Sequence, residues 1–478
     1  MMRHTFWHAR GKANDLAWMN EAEASVKNNS WTSPMFVDGS YWEDSMRKEA
    51  ATKLFQALGK NTSVSRVILQ NACIDQNVDL VLTKAMKENE HLRSLTLRNL
   101  TSSENNRVHQ DPTPPVYTVP PEVFERRCLE TLNLAKTSLD AQSCLNLSTM
   151  IRESTSLQTL VLDSVQTTPR GLLSVLAAVI MSKSLNTLKL QNLDWTKQDV
   201  QRLLVALSFN RSITTLHLEG MSLNADDAQA LAHFLQRNKT VTTLSLRKNY
   251  LDATAARILI VHGMLHNTTV KGLFLSRNPL GDDSADCLVR LLHESCSLQE
   301  LCLVKTKLTQ DGSAAIARAL ARSQGLSKLS MDGNGLEACG KVLVGSLQSN
   351  VSLVHVMDRL CVLLAKNKRH QKASIWGQVD VLLRANQAGR RIVRCHDQSY
   401  AAALVPMVMV RATNQPNVLF QLLREGIPHF AFPTAQISDS CSIPKPSLQN
   451  AHQPSLQERK QPQGQPSLQR RSCCPPIA

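Results

Sequence analysis

The chain has 478 residues and a net charge of +15 at neutral pH, and aromatic residues make up only 4% of it. Its N-terminus lacks the apolar stretch of a secretory signal, and its most apolar run, residues 172–181, is too short to span a bilayer. Twelve Cys occur without CxxC or paired spacing, which favours reduced thiols in the cytoplasm, with the nucleus as the alternative. Secreted and membrane-spanning classes are therefore disfavoured, and residues 172–181 are predicted to be a core helix.

The first 60 residues are rich in aromatic side chains and contain four of the six Trp. Residues 41–58 space apolar side chains four apart, from Met46 to Leu58, as one face of a helix does. A repeat array needs a cap that covers its last core layer. Residues 1–60 are therefore predicted to form an aromatic-rich N-terminal cap.

From residue 61 to residue 356 one unit recurs: an apolar residue, two variable residues, Leu, one variable residue, Leu. The step between copies is 28 or 29 residues, apart from one step of 37. A fixed period of this length is typical of a solenoid. Strong copies begin at Val64, Leu92, Leu129, Leu157, Leu185, Ile213, Val241, Val270, Leu298 and Leu326, and a weaker one begins at Leu353.

Each unit combines a strand and a helix. Val241, Leu244 and Leu246 alternate as the inward side chains of a strand do, whereas the segment from Ala228 to Leu235 spaces apolar residues three and four apart. One such unit cannot bury both apolar faces alone, so stacking must cover them. The sequence predicts an α/β solenoid with a curved parallel sheet inside, helices outside and ten strands.

The repeat resembles the leucine-rich repeat, in particular that of the cytosolic ribonuclease-inhibitor-like subclass. That subclass includes ribonuclease inhibitor, Ran GTPase-activating proteins and the sensing ends of nucleotide-binding immune receptors. The family often places Asn three residues after the last strand Leu, which here occurs only at Asn249, Asn278 and Asn334. The other turns must be held by packing or by other backbone bonds. The replacing residues are Leu100, Thr137, Val165, Leu193, Met221 and Thr306.

Residues 101–127 form an insertion with five Pro, which exclude a full helix. A proline-rich loop is predicted, with one helical turn near its end. Loops of this kind often carry recognition. Tyr117, flanked by these Pro, is therefore a candidate contact for a partner, and a tolerated insertion without a role is the alternative.

The concave face of the predicted sheet offers the most informative surface. A column of Thr precedes the central Leu in five successive repeats, and the exposed columns beside it mix both charges with polar residues. Ser245 is expected to face solvent there. A mixed surface suits a protein partner and argues against nucleic acid, which would require a basic stripe. The candidate partner-binding residues on this face are Asp163, Lys189, His217, Glu219 and Arg247.

After the repeats, residues 357–432 are predicted to form a basic helical C-terminal cap. Residues 358–400 hold nine Lys or Arg, Arg390 among them, against three Asp, so the positive field favours an acidic partner. The strings LLRANQAGRR and PNVLFQLLRE look like the closing segment of leucine-rich-repeat proteins from diatoms, which implies no activity. Residues 433–478 are rich in Pro, Gln and Ser and are predicted to be a disordered tail.

Chemical motifs do not support catalysis. Residues 335–342 nearly match a phosphate-binding loop, but Val342 replaces the hydroxyl that magnesium requires. The His and Cys show neither metal-ligand spacing nor pairing with a nucleophile, so no cofactor and no metal are expected. Five glycosylation-like sequons fall where helices end, and we interpret their Asn as residues that close helices in a left-handed turn. They are Asn61, Asn210, Asn238, Asn267 and Asn350.

The sequence thus predicts a non-enzymatic scaffold or recognition protein that binds a protein partner on the concave face and has no small-molecule substrate. The resemblance leaves two alternatives. One is a GTPase regulator like the Ran GTPase-activating proteins, which carry an acidic C-terminal segment where this chain has a basic one. The other is the detached sensing module of an immune-type receptor, because no nucleotide-binding module precedes the repeats in this sequence.

Overall fold

The computed structural model describes residues 14–31, 34–39, 45–102, 116–125, 128–357, 371–390 and 407–426. The predicted tail, residues 433–478, lies outside these ranges, as do residues 103–115 of the proline-rich insertion. Within them, strands alternate with helices along the chain, and the predicted α/β leucine-rich-repeat solenoid is confirmed.

The described strands are mostly short and follow the repeat period. They are β1 (Met35–Asp38), β2 (Arg66–Gln70), β3 (Cys73–Ile74), β4 (Ser94–Arg98), β5 (Thr101–Ser102), β6 (Thr131–Ala135), β7 (Ser138–Leu139), β8 (Thr159–Asp163), β9 (Gln166–Thr167), β10 (Thr187–Gln191), β11 (Thr215–Glu219), β12 (Thr243–Ser245), β13 (Gly272–Phe274), β14 (Glu300–Cys302), β15 (Lys328–Ser330) and β16 (His355–Met357).

The helices follow the same order. The described α-helices are α1 (Asn14–Lys27), α2 (Ser45–Gly59), α3 (Gln76–Glu88), α4 (Ala141–Glu153), α5 (Pro169–Met181), α6 (Lys197–Leu207), α7 (Ala225–Arg237), α8 (Ala253–Ile258), α9 (Ala285–Glu294), α10 (Gln310–Ala319), α11 (Gly340–Ser349), α12 (Gln371–Ala388) and α13 (Pro416–Gly426). Residues 407–412 are helical as well. A π-helical turn spans Leu259–Gly263, and 3₁₀ turns span Pro121–Phe124, Met264–His266, Asp282–Ser284, Leu320–Arg322 and Gly335–Cys339.

Twelve of these strands pair in one parallel sheet, in the order β1-β2-β4-β6-β8-β10-β11-β12-β13-β14-β15-β16. Ten belong to the ten strong repeat copies, so the predicted count is exceeded at both ends. At the C-terminal end β16 comes from the weak copy. At the N-terminal end β1, within the predicted cap, pairs in parallel with β2, with Met35 opposite Val67.

The core lies between the sheet and the helices. Leu188, Leu216 and Leu244 are register partners on neighbouring strands and are fully buried. Burial of such side chains stabilises a fold by about 1.5–3 kcal/mol each. In each repeat the strand Leu meet the apolar stripe of the following helix, so one continuous core runs through the whole array.

Two different devices hold the turns that follow the strands. Oδ1 of Asn249 accepts hydrogen bonds from the backbone N–H groups of Met221 and Leu223, at 2.8 and 3.2 Å. Its Nδ2 donates to the carbonyls of Leu218 and Leu246, at 2.8 and 2.9 Å. The two other Asn of this column bridge successive turns in a similar way.

In the N-terminal repeats, which lack this Asn, backbone pairing takes its place. The short strands β3 and β5 pair with each other, and so do β7 and β9. The expectation that other backbone bonds hold these turns is met there.

The five sequon Asn have a structural role that differs from the predicted one. Asn238 ends α7 with φ −74° and ψ 127°, which is extended and not left-handed backbone. Its Nδ2 donates to the carbonyl of Leu207 at 2.9 Å, and its Oδ1 accepts from the N–H of Val241 at 2.8 Å. These side chains are therefore cross-repeat ties that leave no room for a glycan. All five are buried: Asn61, Asn210, Asn238, Asn267 and Asn350.

The C-terminal helices close the array with a buried cation. Arg390, just after α12, is 1% exposed and donates to the carbonyls of Leu347 and Gln348, at 2.6 and 2.8 Å. Its Nε donates to Oε2 of Glu425 in α13, at 2.5 Å. The expectation that Arg390 adds to a surface field is therefore wrong, because its charge is spent on the last repeat.

The apolar run 172–181 is only partly core. Val175 and Val179 are buried, as predicted, but Leu173 and Met181 point away from the core and are exposed. No helix in the described part of the chain combines the length and the hydropathy that a membrane crossing requires.

Candidate protein-interaction site

The site is built on the face of the twelve-stranded sheet opposite the core, which we name the open face. Every second residue of a strand points to this face, because successive side chains alternate across a strand. The Thr column is in register: Thr159, Thr187, Thr215 and Thr243 are direct neighbours on successive strands. Neighbouring strands lie about 4.8 Å apart, so the next columns present side chains at that spacing.

Three of the predicted residues meet in one polar cluster on strands β11 and β12. Oε1 of Glu219 accepts a hydrogen bond from the Ser245 hydroxyl at 2.6 Å. The same oxygen lies 3.0 Å from Nδ1 of His217. Burial raises the pKa of the Glu219 carboxyl, but the hydrogen bonds from His217 and Ser245, with the charges of His217 and Arg247, outweigh this effect. The pKa of Glu219 is therefore lowered, and the carboxylate is ionised at neutral pH.

Arg247, two residues beyond Ser245, extends this cluster over β13. Its guanidinium lies 4.8 Å from the ring centroid of Phe274, a cation–π contact. Nη2 points to Sγ of Cys302 at 3.6 Å, and Nε is buried without a hydrogen-bond acceptor among the described residues. The guanidinium is thus fixed in position while part of its donor capacity is unused.

A second pair of side chains lines the floor of the cluster. Oγ of Ser276 lies 3.0 Å from Sγ of Cys302 and accepts from the N–H of Val304 at 3.2 Å. Both Ser276 and Cys302 are buried although they point to the open face. We define the open-face cluster as His217, Glu219, Ser245, Arg247, Phe274, Ser276 and Cys302.

The burial of Ser245 corrects one expectation. The sequence predicted a solvent-facing side chain, yet Ser245 is 1% exposed. It belongs to the open face, but Glu219 accepts its hydroxyl proton from the neighbouring strand. Period-two alternation predicts which face a side chain occupies, and longer neighbours on the same face determine its exposure.

The other candidates lie apart from the cluster. Oδ1 of Asp163 accepts from Nδ2 of Asn192 at 2.6 Å and from the Ser164 hydroxyl at 3.0 Å. Lys189 is the register neighbour of His217 and is half-buried. No hydrogen bond or ion pair joins it to another described side chain, so its ammonium group is available.

Tyr117 is not a surface contact. Its side chain is 4% exposed, and its hydroxyl donates a short hydrogen bond to Oδ1 of Asp79. Val119 and Phe124 beside it are buried too. The described end of the insertion therefore serves the core, where it takes the place of a helix, and its remainder lies outside the described residues.

Sequence reasoning missed Ser245, Phe274 and Cys302 as members of a site. All three occupy the column that also contains His217, and register alone would have placed them side by side. What the sequence could not show is that long side chains from the next column fold over them. Within the described ranges, no group of three or more His, Cys, Asp or Glu is arranged to hold a metal ion.

Comparison with known proteins supports the fold and gives little detail beyond it. No protein-family model matches the sequence. The chain is 27% identical over 190 residues to NACHT, LRR and PYD domains-containing protein 3 of Bos taurus, a match that covers 40% of this chain. The match covers only 18% of that relative's own length.

Two solved structures show weak likeness. The tropomodulin C-terminal domain from Caenorhabditis elegans has 17% identity and a TM-score of 0.28, covering 35% of this chain and 98% of that one. Actin-binding site 2 of leiomodin-1 has 18% identity and a TM-score of 0.19, covering 46% of this chain and 90% of that one. TM-scores this low do not relate the function of the proteins.

Proposed function

We propose that this protein is a non-enzymatic scaffold that binds a protein partner on the open face of its sheet. The open-face cluster carries this proposal, because it holds an Arg and an aromatic ring in fixed positions on a rigid sheet. Arg and aromatic residues dominate the binding energy of protein interfaces when neighbours keep them in place. Repeat arrays offer large surfaces of this kind.

The unused donors of Arg247 indicate the chemistry of the partner. Glu219 compensates part of the positive charge, but no ion pair joins the two side chains, and Nε of Arg247 has no acceptor. A partner carboxylate would complete the hydrogen bonding of the guanidinium in the fork geometry that Arg favours. Lys189, two strands away, would meet a second acidic group. We therefore expect an acidic segment of the partner at this site.

The experiment compares matched neutral variants in affinity capture. Arg247→Gln with Lys189→Gln removes both open-face cations, whereas Lys239→Gln with Lys271→Gln removes two exposed cations from loops that precede the strands. Proteins that the wild type and the loop variant capture, and the open-face variant does not, are the expected partners. Once a partner is identified, its affinity should fall about tenfold or more for the open-face variant alone. Equal affinity for both variants would refute the proposed site.

The similarity to NACHT, LRR and PYD domains-containing protein 3 favours a second candidate, the sensing module of an immune-type receptor. In that case the open face would capture a ligand and pass the signal to a nucleotide-binding protein. Stable co-purification with a nucleotide-binding ATPase would favour this candidate over a simple scaffold. The reduced state of the seven described Cys is consistent with the cytoplasm or the nucleus for either function.

A further inference from the structure

The outward side of the helices shows a break in the repeat pattern. Each repeat helix places residues four apart on its exposed side. On α7 these are Gln229, His233 and Arg237, and α9 is polar or charged at the same positions. On α5 and α6 the corresponding exposed positions hold mostly apolar residues. Because nothing in the fold requires apolar side chains there, their presence calls for another cause.

These side chains form a continuous surface on three consecutive helices. An isolated exposed Leu is normal, but a cluster of this kind marks an interaction site. We name it the outer-helix patch and define it by five side chains with their exposed fractions. They are Leu145 (53%), Leu173 (37%), Met181 (65%), Val205 (60%) and Phe209 (61%).

A cleft adjoins the patch between the N-terminal ends of α4 and α5. It has a volume of about 630 Å³ and is lined by Leu145, Thr168, Arg170 and Ser174 among others. Leu145 belongs to both the cleft and the patch, so the apolar surface continues into a concave site. Such a groove between helices suits an inserted side chain of an incoming helix.

The charges around the patch are almost all positive. Residues 169–212 contain six Lys or Arg and only two Asp. Arg170, Lys183, Arg202 and Arg211 are exposed along or beyond α5 and α6. A second copy of this chain would bring the same positive rim against this one, which disfavours self-association. A partner with acidic residues beside an apolar stripe is complementary to both features.

We propose that the outer-helix patch binds an acidic amphipathic helix of a protein partner. The apolar stripe of that helix covers Met181, Val205 and Phe209, and its acidic flank faces Arg170, Lys183 and Arg202. This surface lies on the helix side of the repeats, away from the open face. The inference is therefore independent of the function proposed above, and either can fail alone.

A designed peptide tests the proposal on the full chain. The probe is a fluorescein-labelled helix of about 18 residues, five turns, with Leu on one face and Glu on the other. The wild type should bind it, and Met181→Ser with Phe209→Ser should weaken binding about tenfold or more. Leu80→Ser is the matched control, because Leu80 is an exposed Leu on α3, outside the patch. It should leave binding unchanged.

Charge is tested with a second variant and a second peptide. Lys183→Glu with Arg211→Glu should weaken binding of the Glu peptide and strengthen binding of a peptide that carries Lys in place of Glu. Equal binding of the two peptides by the wild type would overturn the proposal. So would three other results: no binding of the Glu peptide, binding only to phosphatidylserine vesicles, or self-association that Met181→Ser with Phe209→Ser abolishes.

Discussion

At the scale of single residues, the open-face cluster shows how charge is used on a repeat surface. His217 and Glu219 contact each other and Ser245, so they do not act as independent side chains presented to a partner. Arg247 and Lys189 differ, because their charged groups keep unused donors. The distinction follows from contacts between neighbouring strands, and it narrows the candidate residues from a mixed column to two cations.

A buried residue outside that cluster leads to a pH prediction. Burial, followed by the charge of Asp79 and the hydrogen bond to it, raises the pKa of Tyr117 well above 10. The neutral phenol is thus favoured in the folded state. Its contribution to stability is complete below the unfolded pKa near 10 and is lost as the pH rises toward the folded pKa.

Tyr117→Phe removes the titrating group and should flatten this dependence. Between pH 9 and pH 11 the wild type should lose on the order of 1 kcal/mol more unfolding free energy than the variant. Urea unfolding at each pH measures the difference. Parallel curves for the two proteins would show that the phenol of Tyr117 ionises as freely in the folded state as in the unfolded chain.

At the scale of elements, period and alternation predicted the repeat strands, their inward Leu and the helices between them. They could not predict the residue that turns each strand toward its helix. Two positions after the last strand Leu, ten repeats adopt a left-handed φ of 49–74°, yet only Gly220 and Gly333 are Gly there. Lys136, Lys248 and Lys305 adopt the same conformation, so residue type carries no signal.

Other elements escaped prediction because their partners lie far away in sequence. The strand β1 is recognisable only through its pairing with β2, and the buried state of Arg390 depends on Glu425, 35 residues later. The candidate site was predicted at the level of the face and of three cluster members. Its floor was not, because exposure depends on how long side chains fold over short ones.

The Asn column leads to a prediction about single turns. Asn249→Leu should lower the unfolding free energy by about 3 kcal/mol, because four buried backbone groups lose their partners. Asn249→Thr should cost less. Thr306 occupies the same position two repeats later, and its hydroxyl donates to the carbonyl of Leu303 at 2.9 Å. Equal losses in chemical unfolding would show that packing, not hydrogen bonding, holds this turn.

At the scale of the whole molecule, each repeat is stabilised by its two neighbours, so the ends of the array decide whether it frays. At the N-terminal end β1 pairs with the first repeat strand. At the C-terminal end the final helix carbonyls of α11 would lack partners. Arg390 supplies donors to them while Glu425 balances its charge, so one side chain connects the last repeat to both closing helices.

Breaking this connection should unfold the array from its C-terminal end. Removing one partner of a buried ion pair costs about 3–5 kcal/mol, because the remaining charge stays buried and unpaired. Arg390→Met should therefore expose the amides of α11 to hydrogen exchange, while the amides of β10 and β11 stay protected. Arg384→Met is the control, since Arg384 is half exposed and pairs only with Asp380 one turn away, at 2.9 Å. That variant should lose at most about 0.5 kcal/mol. If Arg390→Met raised exchange evenly along all repeats, the array would unfold as one unit, and the closing helices would stabilise every repeat equally.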